Sequence, residues 1–138
     1  MAFMKTGFFA ALLGLALVAA GCVDTVSGRR TAGFPLVKDR IPSQYERPAD
    51  EVYQAAREVI AYNGTLINES ILHGQTNTLN NTVRTIEGKV NQRTVWVRIE
   101  QLEPRLTSTV VQVRTSGGGS DIELAAEIDK QIALRLVR

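Results

Sequence analysis

The stretch that decides the fold is Thr-Val-Trp-Val-Arg-Ile-Glu, residues 94–100. Every second side chain in it is aliphatic and the others are polar or amphipathic: Val95, Val97 and Ile99 against Trp96, Arg98 and Glu100. Successive side chains of a β-strand point to opposite faces, so this alternation predicts a half-buried strand within Val90–Leu102. Leu106–Thr115 alternates in the same way, with Thr109, Val111 and Val113 opposing Val110, Gln112 and Arg114. The two stretches together indicate an antiparallel sheet with one face exposed to solvent.

Two stretches before it have a weaker strand pattern, Thr65–Leu72 and Thr76–Glu87. The second carries Asn where a core strand would carry Val or Ile, so we expect it to be an open edge that a partner strand could join. Ile41–Arg47 is an edge strand at best, because Pro42 has no N–H to donate. The strand connections are short enough for hairpins: His73-Gly74-Gln75, Gly88-Lys89 and Glu103-Pro104-Arg105.

Two segments have the apolar spacing of a helix. Pro48–Asn63 begins with Pro, which suits the first helical turn, and its stripe is Val52, Ala55, Ala56, Val59 and Ile60. The second begins at a capping box, Ser120-Asp121-Ile122-Glu123, and runs to Val137. The order predicts an α+β fold of two layers: an antiparallel sheet of about four strands, with an N-terminal and a C-terminal helix packed on one face.

Length, charge and residue counts exclude several classes of protein. The chain has 138 residues, which suits one domain and not a multidomain enzyme. Sixteen basic against fourteen acidic residues give a net charge of +2, which argues against a dedicated nucleic-acid binder. One Cys excludes an internal disulfide, and one His excludes a multi-His metal site. We expect no metal and no cofactor.

The N-terminus has the features of a secretory signal peptide. Met1–Lys5 carries one positive charge, and Thr6–Gly21 is uncharged with a dense apolar run at residues 8–18. Two alternatives remain open, an uncleaved transmembrane anchor and a soluble secreted product. The uncharged stretch is 18 residues long if it extends to Val23, at the lower limit of the roughly 17–25 that a spanning helix needs.

The small residues Ala19-Ala20-Gly21 lead directly into the lone Cys22. This arrangement resembles the lipobox of bacterial lipoproteins, although that pattern prefers Leu where Ala19 stands. The resemblance implies cleavage after Gly21, which ends a signal peptide of residues 1–21, and a diacylglycerol on the Cys22 thiol. It also implies attachment to a membrane of the cell envelope. Val23 follows the Cys where inner-membrane lipoproteins carry Asp, which resembles an outer-membrane address facing the periplasm.

The segment that follows the signal peptide is predicted to be a tether. Residues 22–40 combine the lipidated Cys with a stretch that Gly28, Gly33 and Pro35 keep irregular. We interpret it as a flexible stalk, with docking of Phe34, Leu36 and Val37 on the domain or on a partner as the alternative. Residues 41–138 are then the small α+β domain.

A second resemblance covers most of the chain after the lipobox. It rests on Ala49-Asp50-Glu51-Val52-Tyr53-Gln54-Ala55-Ala56 before the sheet and on Gly119-Ser120-Asp121 opening the terminal helix. With the lipobox, this resembles a domain-of-unknown-function family of short envelope lipoproteins. The resemblance implies a helix–sheet–helix fold and no known activity.

No residue is predicted to be catalytic. The Gly117–Ser120 loop lacks the Lys of a phosphate-binding loop, and His73 has no second His or Cys near it. The candidate partner-binding face comprises Arg84, Trp96, Arg98 and Arg114, because Trp and Arg are enriched at binding hot spots. The alternative is an ordinary solvated face.

The sequence therefore predicts a non-enzymatic envelope lipoprotein whose domain binds a protein or glycan. A periplasmic domain that holds a small molecule or glycan between sheet and helices is the alternative. The oligomeric state is open.

Overall fold

The computed structural model describes residues 21–24, 30–33, 39–76 and 79–138. Gly21–Asp24 (β1) and Arg30–Gly33 (β2) form an antiparallel pair in which Cys22 lies opposite Ala32. The remaining elements are β3 (Arg40–Tyr45), α1 (Ala49–Asn63), β4 (Thr65–Thr76), β5 (Leu79–Val90), β6 (Arg93–Glu103), β7 (Leu106–Arg114) and α2 (Ile122–Leu136). Residues 1–20 of the predicted signal peptide, and most of the predicted tether, lie outside the described residues.

The main sheet has five antiparallel strands in the order β3-β7-β6-β5-β4. The predicted fold is therefore wrong in two respects: the sheet has five strands rather than about four, and the first helix follows β3 in the middle of the chain. The fifth strand is β3, which contains Pro42 and which the sequence predicted to be an edge strand at best. Pro42 is tolerated in β3 because an edge strand needs backbone N–H donors along one side only.

The prediction of a loop at His73–Gln75 is also wrong. β4 continues through Gly74 to Thr76, with Gly74 opposite Asn81. The Asn-rich strand is not an edge, because β5 lies between β4 and β6. The open edge on this side of the sheet is β4.

Both helices pack on one face of the sheet. Their buried residues meet an aliphatic layer from the three central strands, and the core side chains in this layer are almost fully buried. The sheet contributes Ile86, Val90, Val95, Val97, Ile99, Val111 and Val113; α1 contributes Val52, Ala56, Val59 and Ile60; α2 contributes Ala125, Ile128 and Ile132. Gly88 lets α1 approach closely, since a Cβ there would collide with Ile60 Cγ2.

The start of α2 differs from the predicted capping box. Asp121, not Ser120, is the N-cap, and its Oδ1 accepts a hydrogen bond from the Leu124 backbone N–H at 3.0 Å. The backbone of Ser120 instead forms an isolated antiparallel β-bridge with Arg114 at the end of β7. The helix therefore starts one residue later, against the last sheet strand. Within the described ranges, neither helix has the length and apolar character needed to cross a bilayer.

Candidate functional site

Trp96 and Arg98 are neighbours on the face of the sheet opposite the two described helices. In the strand register, Trp96 lies between Glu87 and Gln112, and Arg98 lies between Thr85 and Val110. Both side chains are half-buried, since they stand on the central strand with neighbours on both sides. We call this pair, with the sheet positions next to it, the outer face.

Arg98 is held loosely on this face. Its NH2 lies 3.3 Å from Glu100 Oε2, one pleat further along the same strand, and its side chain is 42% exposed. An ion pair at this exposure contributes at most about 1 kcal/mol, so the guanidinium can exchange Glu100 for another acidic group at little cost. Trp96 beside it offers a flat apolar surface. The pair can therefore contact a partner with both apolar and acidic groups.

Arg114 shares this side of the sheet but is not available to a partner. Its side chain is 8% exposed, and NH2 donates to Asp39 Oδ2 at 2.5 Å. NH1 donates to the Gly118 carbonyl at 3.0 Å, and the same Asp39 oxygen accepts from Gln112 Nε2 at 2.7 Å. Asp39 thus joins the start of β3 to the end of β7, and Arg114 has a structural role.

Arg84 lies on the opposite side from the other three predicted residues, so its assignment to that face is wrong. It stands opposite Ile99 in the register, and its NH1 lies 2.5 Å from Asp50 Oδ1 of α1. Its guanidinium carbon is 5.2 Å from the centre of the Tyr53 ring. The sequence did not show which residues of β5 face the helices, because one of the inward positions is Gly88, which has no side chain.

A polar cluster that the sequence did not indicate joins β3 to α2. Asp129 Oδ2 accepts from Ser43 Oγ at 2.7 Å, and Oδ1 accepts from the Tyr45 hydroxyl at 2.8 Å. Burial, and then the neighbouring Asp129 carboxylate, raise the pKa of Tyr45 well above its ordinary value. The Tyr45 phenol is thereby kept neutral as a donor. With no imidazole in the cluster, the arrangement ties the edge strand to the helix rather than activating a nucleophile. Only the alternation of Ser43 with Tyr45 could have suggested a shared face.

Between the two described helices and the sheet lies the close-packed aliphatic core. A groove of about 410 Å³ lies instead on the outside of the helices. It is open and lined mainly by charged side chains, among them Glu51, Glu58 and Arg135. Among the described residues, no three His, Cys, Asp or Glu side chains are grouped as a metal site would require.

The two other features considered in the sequence are His73 and the Gly117–Ser120 loop. His73 is exposed on β4. In the glycine loop, Thr115 N–H donates to the Gly119 carbonyl at 2.8 Å and Gly118 N–H donates to the Thr115 carbonyl at 2.9 Å. Both backbone groups are used to close the turn.

Comparison with known proteins shows the family. The family model described as Protein of unknown function (DUF3568) matches residues 5–135, so the chain belongs to that family. No curated protein matches the chain. A solved structure, "Crystal structure of the di-domain ARO/CYC StfQ from the steffimycin biosynthetic pathway", is similar over 70% of this chain with 11% identity. The chain spans 42% of that protein, and the TM-score of 0.32 is too low to support an argument about function.

The structural role of Arg114 makes a prediction about stability. Asp39→Ala leaves the buried guanidinium without its carboxylate, and we expect the free energy of unfolding to fall by about 3 kcal/mol. Urea denaturation followed by the fluorescence of Trp96 measures it. The matched control is Glu58→Ala, which removes an exposed pair with Arg135 at 2.6 Å and should cost less than about 1 kcal/mol. Equal, small losses in the two variants would contradict the structural role of Arg114.

Proposed function

We propose that this protein is a lipid-anchored component of the bacterial cell envelope whose domain acts as a non-enzymatic binding module. The anchor is the lipidated Cys22, exposed by cleavage after Gly21. Support comes from the charged start, the apolar run at residues 8–18 and the small residues before the only Cys of the chain. Two or three acyl chains hold a protein firmly on a bilayer, because each buried methylene contributes about 0.8 kcal/mol.

Val23 after the Cys favours the outer membrane, with the domain facing the periplasm. The predicted tether, residues 22–40, would join this anchor to the domain. The pairing of β1 with β2 folds part of it back on itself, so its reach is shorter than that of an extended chain.

The observation that carries the binding role is the pairing of Trp96 with Arg98 on the outer face. Trp and Arg supply most of the energy at many protein interfaces. Here they adjoin on the central strand of the sheet, on the side opposite the two described helices. The filled core favours recognition on a surface over capture of a small molecule between the layers. We propose a protein partner with an acidic rim around an apolar patch.

The anchor is tested by Cys22→Ala. The thiol is the only group that can accept the diacylglycerol, so the variant should lose labelling by radioactive palmitate and keep its signal peptide. Metabolic labelling and the intact mass of the purified protein measure both effects. Thr25→Ala, close by in the tether, is the control and should be labelled like the wild type. Full palmitate labelling of the Cys22→Ala variant would exclude the lipobox assignment.

The outer face is tested by a photocrosslinking amino acid in place of Arg98 in the native host. We expect one abundant protein adduct, identified by mass spectrometry, since the side chain at this position would lie inside the interface. Lys130, a basic residue exposed on α2, is the matched control position and should give none. A glycan adduct would replace the protein partner with a glycan. No adduct from a well-expressed, membrane-attached variant would reject the outer face as an interface.

A further inference from the structure

We propose that β4 is a self-association edge, at which two copies of the chain pair antiparallel and join their sheets. This inference concerns a surface apart from the outer face, and it stands or falls independently of the partner proposed above. It begins from the topology. β4 and β3 are the two edge strands of the main sheet, and in the described part of the chain each pairs along one side only. An unprotected edge is a template for another strand.

The two edges are protected very differently. β3 has six residues, and Pro42 in its middle removes a donor. β4 has twelve residues and contains neither Pro nor Lys. Its one irregularity is a register shift between Leu66 and Asn68, near the start of the strand. Beyond this point β4 pairs regularly with β5. Asn68–His73 is therefore a regular segment whose other side pairs with no described strand, and a second strand can add there.

β4 also exposes apolar side chains. Among the described residues, six large hydrophobic side chains are exposed, and half of them lie on β4. Ile67, Ile71 and Leu72 are 54%, 55% and 56% exposed. Ile71 lies on the helix side, opposite Arg84, and Leu72 lies on the outer side, opposite Val83. A strand added at this edge would therefore cover apolar surface on both sides of the sheet.

The sequence of β4 favours a second copy as the occupant. Pairing about a two-fold axis at Ile71 places Ile71 opposite Ile71 and Glu69 opposite His73 on the same side of the sheet, twice. Apolar cross-strand pairs stabilise antiparallel strands. A carboxylate opposite an imidazole can also accept a hydrogen bond from a ring N–H. The Glu69 charge is offset within each chain by Arg57, whose Nε lies 2.8 Å from Glu69 Oε1. No uncompensated charge then remains to repel the second copy.

An isologous contact of this kind closes on itself, because each copy uses the same strand. The second edge, β3, is blocked by Pro42, so the joined sheet does not extend into a fibre. The geometry points to a dimer as the end state.

The first test is the mass in solution of the full chain in mild detergent, measured by light scattering on a sizing column. We expect the wild type to be a dimer. Ile71→Lys places two lysines opposite each other at the axis and should weaken dimerisation about tenfold or more. Leu134→Lys is the matched control on α2, because Leu134 is also 55% exposed, and it should remain dimeric. A monomeric wild type, or a dimer unaffected by Ile71→Lys, would overturn the proposal.

The second test guards against loss of folding in the lysine variant. Directly opposed residues of antiparallel strands lie about 4.5–5.5 Å apart between Cα atoms, within the range that a disulfide spans. Ile71→Cys should therefore form a disulfide-linked dimer under mild oxidation. Leu134→Cys and the wild type, which contains only Cys22, give the background. Crosslinking of Ile71→Cys no faster than this background would reject pairing about Ile71, whatever the outcome at the outer face.

Discussion

The packing of two helices on one face of the sheet is the constraint on which the rest of this structure depends. Alternate residues of β5, β6 and β7 are aliphatic and almost fully buried, and the stripes of α1 and α2 close over them. Once these side chains are turned inward, the strand period of two fixes which residues face outward. Val95, Val97 and Ile99 point into the core. Trp96 and Arg98 alternate with them along β6 and therefore point to the outer face. The same packing fills the space between the two described helices and the sheet with aliphatic side chains.

Three arginines show how position in the sheet decides the role of a charge. Arg114 is buried and is held by Asp39 and the Gly118 carbonyl. Arg84 lies under α1 and bridges to Asp50 beside the Tyr53 ring. Arg98 has only the exposed contact with Glu100 among its ion pairs in the described structure. The first two stabilise the contacts between elements, whereas the third can be redirected to a partner at low cost. Asp39 also fixes the point at which the predicted tether reaches the sheet.

The sequence predicted those parts of the fold in which a strong period repeats over many residues. Strands β6 and β7 and both helices lie within a few residues of their predicted bounds, since their apolar positions recur without interruption. The errors fall where the pattern is interrupted. Pro42 left β3 predicted as an edge strand at best, and it was not counted in the sheet of about four strands. Gly74 was taken for a turn although it lies within β4. Gly88 concealed which residues of β5 face inward, so Arg84 was placed on the wrong side.

The polar contacts of the site were less predictable than its strands. Trp96 and Arg98 could be paired from the alternation of a single strand. The burial of Arg114 depends on Asp39, which is distant in sequence, and the cluster of Ser43, Tyr45 and Asp129 joins the two ends of the domain. Sequence spacing carries no information on such contacts, because they are set by which strands become neighbours.

The central claim is that the outer face is covered by a partner in the cell envelope. Trp96 is the only Trp of the chain, so its oxidation by hydroxyl radicals, located by mass spectrometry, reports on this face. Tyr62, 80% exposed at the end of α1, serves as the internal reference. The account predicts that Trp96 is oxidised in the purified protein and protected in native envelopes, while Tyr62 is oxidised equally in both. Equal oxidation of Trp96 in the two preparations would contradict it.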